Sequence, residues 1–386
     1  DPAAPGYLPY DHTARRAYEI ENAWESPVIT PFPGTLTAPP IAARPGVNYR
    51  ARVKHLDSTG RWSHWSAPVS FIAAEPDVTV YLQSLVITAV HYHPAPPNAA
   101  EAAVSPDPEA YEWIELMNVG PATLDLSPVR FTKGIDFAFA GSAVTSLTPG
   151  QRVLVVRNLA AFTARYGISP GGALVAGAWQ VDDALSNSGE QLKLSYGQGS
   201  AIRDFVYDDN GPWPDGADGG GQALVLTNPT TLPDPANPMQ WRLSTQAGGT
   251  PGQSDRISYA SWVAAIGGPA ASLDSDGDGV INLTEYALGS SATAGSSLPA
   301  MAADVEWVEG IAYSRITFVR RAGAADAVVI PQWSTQLQNW DNPSISFQRS
   351  TVTSRPDGTV QETFRSTLPL AQQTNAFFRL KIMSVP

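Results

Sequence analysis

Leu85-Val-Ile-Thr-Ala-Val90 is a short apolar run rich in β-branched residues, and its recurrence decides the fold class. Runs of the same kind return at Trp113-Ile-Glu-Leu116, Arg152-Val-Leu-Val-Val156, Gln191-Leu-Lys-Leu194 and Ala223-Leu-Val-Leu-Thr227. Each has the length of a strand, and Gly, Pro and Asn turn signals stand between them. Short apolar runs with this punctuation predict an all-β sandwich. The 32 glycines and 34 prolines fit a strand-and-turn protein. One helix is predicted within this region, from Leu159 to Tyr166, ended by Gly167.

Strand signals continue on both sides. Upstream, Tyr18-Glu-Ile-Glu alternates with period two, and the stretch Asn48 to His55 places Tyr49, Ala51 and Val53 on one face. Asp57-Ser-Thr-Gly60 reads as a turn; Trp62-Ser-His-Trp-Ser66 and Val69-Ser-Phe71 are then predicted to form a last strand. Downstream, the period changes to helical. Tyr259, Trp262, Val263 and Ile266 are spaced for one helix face, and Gly267-Gly-Pro269 stops that helix. A second helix is predicted from about Asn282 to Leu288, ending at Gly289, with a Ser/Ala/Gly linker over 290–300. Strands resume at Ile316-Thr-Phe-Val319, Ala327-Val-Val-Ile330, Ser344-Ile-Ser-Phe347, Gln361-Glu-Thr-Phe364 and Phe377-Phe-Arg-Leu-Lys-Ile382, with a hairpin signal at Pro356-Asp-Gly358.

The charge balance narrows the classes of partner. The chain carries 24 basic and 36 acidic side chains, a net charge of −12. Such a chain repels nucleic acid and anionic membrane, and it suits a cation-rich exterior. The absence of cysteine excludes a disulfide framework and a zinc-thiolate site. No apolar run approaches the ~18 residues of a membrane span, so no membrane insertion is expected. No signal peptide opens the chain, and Asp1 is expected to be a processing boundary.

Asp274-Ser-Asp-Gly-Asp-Gly-Val-Ile-Asn-Leu-Thr-Glu285 carries the one strong site. It fits the twelve-residue EF-hand loop at every coded position. Asp274, Asp276 and Asp278 hold positions one, three and five, and Gly279 at six permits the sharp turn. Val280 offers its carbonyl at seven, Asn282 sits at nine, and Glu285 at twelve supplies both carboxylate oxygens. A set made only of oxygen selects a hard cation taking six to eight ligands, hence Ca2+. Four carboxylates within twelve residues repel one another without it. The incoming helix is cut off from the loop by Gly267-Gly-Pro269, so this is half of an EF-hand, and weak binding in the ~10⁻⁴–10⁻³ M range of extracellular modules is expected.

Other constellations are weaker. His91 and His93 alternate on a strand and share a face, as a metal pair or as a polar strand end. Asp204, Asp208, Asp209, Asp215 and Asp218 make an acidic region around Trp213 that meets no ligand code. Glu112 and Glu115 stand three apart on a predicted strand, hence on opposite faces, and are poorly placed as an acid/base pair. No GxSxG, HExxH or P-loop is present. No catalytic residue is assigned and the chain is not expected to be an enzyme. Trp62 and Trp65 are expected to stack with Arg50, Arg52 and Lys54 across two strands, with carbohydrate stacking on exposed rings as the alternative.

Several of these pieces carry family resemblances. Glu112-Trp-Ile-Glu-Leu-Met-Asn118, Leu124-Asp-Leu-Ser127, Pro149-Gly150, Leu185 to Leu194, Asp204 with Tyr207, Trp213-Pro214 and Gly249-Thr-Pro-Gly252 together resemble a lamin tail domain. That resemblance implies an immunoglobulin-like β-sandwich that binds or scaffolds. The chain departs from it at Ala89-Val-His-Tyr-His93, where bacterial members often carry an acidic residue. The first region resembles the second half of a fibronectin type III domain, with a WSxWS-like motif, whose first strands are expected upstream of residue 1. The loop is similar to the dockerin or thrombospondin-repeat type. The last region resembles the small C-terminal β-sandwich of large exported bacterial proteins. The whole resembles the C-terminal region of spore-coat-kinase-like family proteins.

The expected organisation is mainly β: tandem immunoglobulin-like and fibronectin-like sandwiches with a short helical calcium-binding insert. Its parts are a partial fibronectin type III-like domain at 1–75, a lamin tail domain at 76–254, the half EF-hand and linker at 255–300, and a C-terminal β-sandwich at 301–386. The expected function is a non-catalytic extracellular or cell-surface structural or adhesion module of a larger secreted or surface bacterial protein. The alternative is a carbohydrate-binding accessory region of an exported enzyme. Expected partners are the upstream part of the same polypeptide or a neighbouring surface protein, and a glycan under the alternative.

Overall fold

The apolar run at 85–90 becomes the strand Leu85–His91, and all seven of its residues are buried. This strand lies inside a six-stranded sheet. Its order is Leu174–Ala178, Arg152–Val156, Trp113–Asn118, Leu85–His91, Gln222–Leu226 and Trp241–Ala247. Period two divides the neighbouring strands cleanly. Ile114, Leu116, Val153, Val155, Leu224 and Leu226 enter one core, while Trp113, Leu154, Val156, Ala223 and Val225 enter another. The first core lies against a second sheet, ordered Ser200–Tyr207, Glu190–Tyr196, Val129–Lys133 and Phe137–Ala138, which contributes Phe131, Leu192, Leu194, Ile202 and Phe205. The second core is closed by the helix Leu159–Tyr166, which places Phe162 and Tyr166 on the sheet's outer side. A sheet covered on both faces needs continuous apolar runs, as residues 85–90 and 153–156 provide.

The structure is a computed structural model that describes residues 22–384, apart from residues 32, 181, 212, 325, 335, 339, 341–346, 356–357 and 374–376. The expected strand at 18–21, residues 344–346 of the expected strand ending at Phe347, and the turn residues 356–357 lie outside the described residues. Among the described residues the protein is mainly β, with few and short helices. The helix Leu159–Tyr166 forms where expected. Asn158 Oδ1 accepts the Ala161 N–H at 3.0 Å at its start, and Gly167 ends it. This helix links the parallel strands Arg152–Val156 and Leu174–Ala178, a pairing that requires such a crossover.

Residues 48–72 depart from expectation. The strand Asn48–Ala51 pairs with Val69–Ile72, but Trp62 to Ser66 does not extend either one as a regular strand. The backbones stay joined, with Ser63 N on His55 O and Ser66 N on Val53 O, both at 2.8 Å. The returning donors are taken by hydroxyls instead of carbonyls: Val53 N–H reaches Ser66 Oγ at 3.1 Å and His55 N–H reaches Ser63 Oγ at 2.9 Å. Side-chain acceptors of this kind replace a ladder. Lys54 Nζ sits 4.6 Å above the Trp62 ring and 4.5 Å above that of Trp65. Val53, Val69, Phe71 and Ile72 remain exposed on this small unit.

Residues 301–384 form a second pair of sheets. Met301–Val308, Ile311–Arg321, Thr359–Pro369 and Phe347–Ser354 make one, and Ala327–Ser334 with Phe377–Ser384 the other. Ile316, Phe318 and Phe364 meet Val329, Phe378 and Ile382 between them, and Leu288 joins this core from outside the sheets.

Two glutamates in the first sandwich are fully buried. Glu115, within Trp113–Asn118, accepts from Thr88 Oγ1 at 2.6 Å and Gly252 N at 2.6 Å, and it pairs with Arg152. Glu112, just before that strand, accepts the Leu185 N–H at 3.0 Å and lies 3.4 Å from Arg157 Nη1. Burial pushes the Glu112 carboxyl up to about 8 from its ordinary 4.5. Above pH 4.5 the unfolded chain loses this proton while the native state keeps it, so native stability declines as pH rises towards 8. Glu112→Gln is expected to flatten that slope. Urea unfolding midpoints at acid and alkaline pH check this, and identical slopes in both proteins would remove Glu112 as the cause.

Candidate metal centre

The 258–300 region is built from short local signals. Ser258 Oγ accepts the Ser261 N–H at 3.0 Å and caps the helix Tyr259–Ala264. Ile266, expected on this helix, lies beyond its end. The chain then runs into the acidic loop, whose ends are tied together. Asn282 N donates to Leu273 O at 2.7 Å and Leu283 N to Ala271 O at 3.0 Å. The helix Asn282–Leu288 follows and ends at Gly289, as expected.

Inside the loop, backbone donors orient the carboxylates. Asp274 Oδ1 accepts from Gly277 N at 2.8 Å, and its Oδ2 accepts from Gly279 N at 2.9 Å. Gly279 has φ of 91°, a left-handed geometry that glycine adopts without strain. Val280, at the seventh position, donates its N–H to Asp278 Oδ1 at 2.8 Å. The result brings one oxygen each of Asp274, Asp276 and Asp278 within 4.8 Å of one another.

Glu285 stands just outside that group and is completely buried, as is Asn282. Both oxygens of Glu285, both of Asp276, Asp278 Oδ2 and Asn282 Oδ1 are inaccessible and make no hydrogen bond. Asn282 Nδ2 is held on Ala270 O at 3.0 Å, which sets the direction of its Oδ1. Burial, and then the charges of Asp276, Asp278 and Asp274, push the Glu285 carboxyl up to about 7. Buried polar atoms without partners are costly and rare, and here six oxygens share that condition within one loop. Such a donor set fits a hard cation.

The stretch 290–300 also contributes. Ser290 and Ala292 are buried. Gly295 lies against the loop: a Cβ there would stand 3.4 Å from Asp278 Cβ and 3.6 Å from Asp276 O, at ordinary contact distance.

The helix that carries Glu285 also packs on the C-terminal sandwich and on the helix Tyr259–Ala264. Tyr286 is fully buried, its ring 5.5 Å from Tyr259 and 5.6 Å from Trp262. Its hydroxyl donates to Ile257 O and accepts the Asp326 N–H at 3.2 Å. Arg321 Nε donates to the Tyr286 carbonyl at 3.1 Å. Leu288 enters the C-terminal core. On the other side Asp255 forms a buried ion pair with Arg242 and accepts from Thr245 Oγ1 at 2.7 Å and Thr250 Oγ1 at 3.0 Å. Sequence reading missed Arg242, Asp255 and Tyr286. Single polar residues far apart in the chain carry no spacing signal, and only the apolar flank of Glu285 hinted at Tyr286.

The weaker constellations do not assemble. His91 is buried 5.5 Å from Trp113, and burial pushes its pKa down to about 3. His93 instead pairs with Asp218 at 2.6 Å. Asp204 is taken by Lys193 and Gln191. Asp208 and Asp209 hold Asn210 in a turn. Among the described residues, Asp274, Asp276 and Asp278 are the one group of three potential metal ligands within mutual reach. No described helix is long and apolar enough to cross a membrane. Comparison of the chain with known protein families, with curated proteins and with solved structures finds no match.

Tyr286→Phe removes both hydroxyl bonds at the junction. It is expected to lower unfolding stability by about 1–2 kcal/mol, the cost of leaving buried backbone groups unpaired. Chemical denaturation measures this, and an unchanged midpoint would show that the hydroxyl does not hold the junction.

Proposed function

We propose that this chain is a non-catalytic, extracellular structural or adhesion module of a larger secreted or surface bacterial protein, braced by one calcium ion. The ion is held by Asp274, Asp276, Asp278, the Val280 carbonyl, Asn282 and Glu285. One observation carries the reading: Glu285 is wholly buried beside three aspartates, with neither oxygen hydrogen-bonded. A divalent cation supplies the charge that this arrangement lacks. An exterior with millimolar calcium keeps a site of modest affinity filled.

The brace acts through the helix Asn282–Leu288. Glu285 turns to the loop, while the Tyr286 hydroxyl bonds the joining segment at Ile257 and the C-terminal unit at Asp326, and Leu288 packs in the C-terminal core. Residues 76–254 are read as a lamin tail sandwich. In support, the motif pieces quoted for it bond to each other: Glu112 to Leu185, Glu115 to Gly252, and Tyr207 to Glu190. The small unit at 48–72 is read as part of a fibronectin-like domain. Its exposed Val69, Phe71 and Ile72 offer a surface to the preceding part of the polypeptide or to a neighbouring surface protein. The second reading, a carbohydrate-binding accessory region of an exported enzyme, is favoured by Trp62 and Trp65, each about half exposed at 48% and 49%.

Calorimetric titration with calcium tests the proposal. Binding with Kd of about 10⁻⁴–10⁻³ M is expected. At a concentration roughly 100 times Kd, stabilisation of about 2.7 kcal/mol should follow. Glu285→Gln should weaken binding by tenfold or more, roughly the weight of one charge-assisted contact. No heat and no thermal shift at millimolar calcium would sink the reading.

A further inference from the structure

A cavity of about 540 Å³ opens where the first sandwich meets the C-terminal one. That volume falls within the ~300–1,000 Å³ span of small-ligand sites. Its walls come from both sandwiches and from the segment joining them, and Ala287 of the helix Asn282–Leu288 reaches it too.

The charges in this wall do not balance. Five arginines line it against three carboxylates. Arg152 is matched by Glu115 and Arg242 by Asp255. Arg320 and Arg349 share Glu362: Arg320 donates Nε at 2.9 Å and Nη2 at 2.6 Å, and Arg349 donates Nη1 at 3.2 Å, all to the same oxygen. Arg256 is exposed, donates to Asn228 Oδ1 and forms no ion pair among the described residues. Two positive charges are thus in excess here, in a chain whose net charge is −12. Arg256, Arg320 and Arg349 all line this one cavity. Arg349 reaches across the junction to the Met239 carbonyl at 3.1 Å, so the cluster spans both sandwiches.

The remaining lining defines what the excess charge faces. The side chains of Gln240, Gln253 and Ser254 border the cavity and make no hydrogen bond among the described residues. Neutral amides and a hydroxyl beside guanidinium groups match a ligand with one carboxylate and several hydroxyls. A guanidinium fork is shaped for a planar carboxylate. The chain's negative field disfavours polyanions and leaves a singly charged ligand as the better match.

We propose that this interdomain cleft binds a sugar acid of the hexuronate class, its carboxylate taken by Arg256 and Arg349 and its hydroxyls by Gln240, Gln253 and Ser254. The site goes beyond the calcium brace and is read separately from it.

Calorimetry on the full chain in millimolar calcium tests the site, with glucuronate and galacturonate against glucose and inorganic phosphate. Saturable binding of a hexuronate is expected, with glucose at least about tenfold weaker. Arg256→Gln should weaken hexuronate binding roughly ten- to a hundredfold, the weight of one charge-assisted hydrogen bond. Arg256 is exposed and outside the acidic loop, so the melting temperature and the calcium titration should not move. Equal binding of glucose, or indifference to Arg256→Gln, would overturn the site. Phosphate binding as tightly as hexuronate would overturn the sugar assignment. A failed calcium titration with intact hexuronate binding would sink the brace alone.

Discussion

Like charges confined to one small loop are the constraint on which the junction depends. At about 4 Å two carboxylates repel by roughly 4 kcal/mol in a partly solvated site. Residues 274–285 set three carboxylate oxygens within 4.8 Å and bury a fourth carboxylate beside them. Backbone donors from Gly277, Gly279 and Val280 absorb part of this charge, at Asp274 and Asp278. They do not reach Glu285, which has no backbone or side-chain donor. The helix bearing Glu285 also bears Tyr286 and Leu288, so electrostatics in the loop and packing on the C-terminal sandwich are carried by a single turn of helix.

The sandwiches use buried charge differently. Glu112 and Glu115 each accept a backbone N–H from a distant loop, Leu185 for one and Gly252 for the other. Arg157 and Arg152 stand against them. Asp255 plays the same part at the domain edge with Arg242 and two threonines. Removing Asp255 would strand the buried charge of Arg242, so this group ties loop to strand even where the pair itself adds little net stability. Facing the cleft, Arg256, Arg320 and Arg349 outnumber their carboxylate partners, and charge that is spent on structure elsewhere stays available to a ligand.

The helices Leu159–Tyr166 and Asn282–Leu288 were legible because their caps and stops lie within the helices or next to them. The strands at 85–91, 113–118 and 152–156 were legible because apolar residues cluster there and turns flank them. The acidic loop was legible because all its oxygen donors lie within twelve residues. Trp62 to Ser66 alternates as a strand would, but alternation does not reveal that Ser63 and Ser66 place their hydroxyls where carbonyls would pair. Which of the three cations met the tryptophans was equally hidden, and Lys54 lies over both rings.

By itself the sequence determined the mainly β class, the two helices that flank the junction and the oxygen-only donor set at 274–285. These follow from periodicity and from contacts between near neighbours in the chain. Tertiary structure alone decided that the central sheet is covered on both faces, that Glu285 is wholly buried, and that Gly295 closes over the loop. It also decided that Arg242, Arg256, Arg320 and Arg349 meet at one cleft. Each of those depends on residues outside one another's local segment arriving at the same place, and burial of that kind leaves no period and no motif to read.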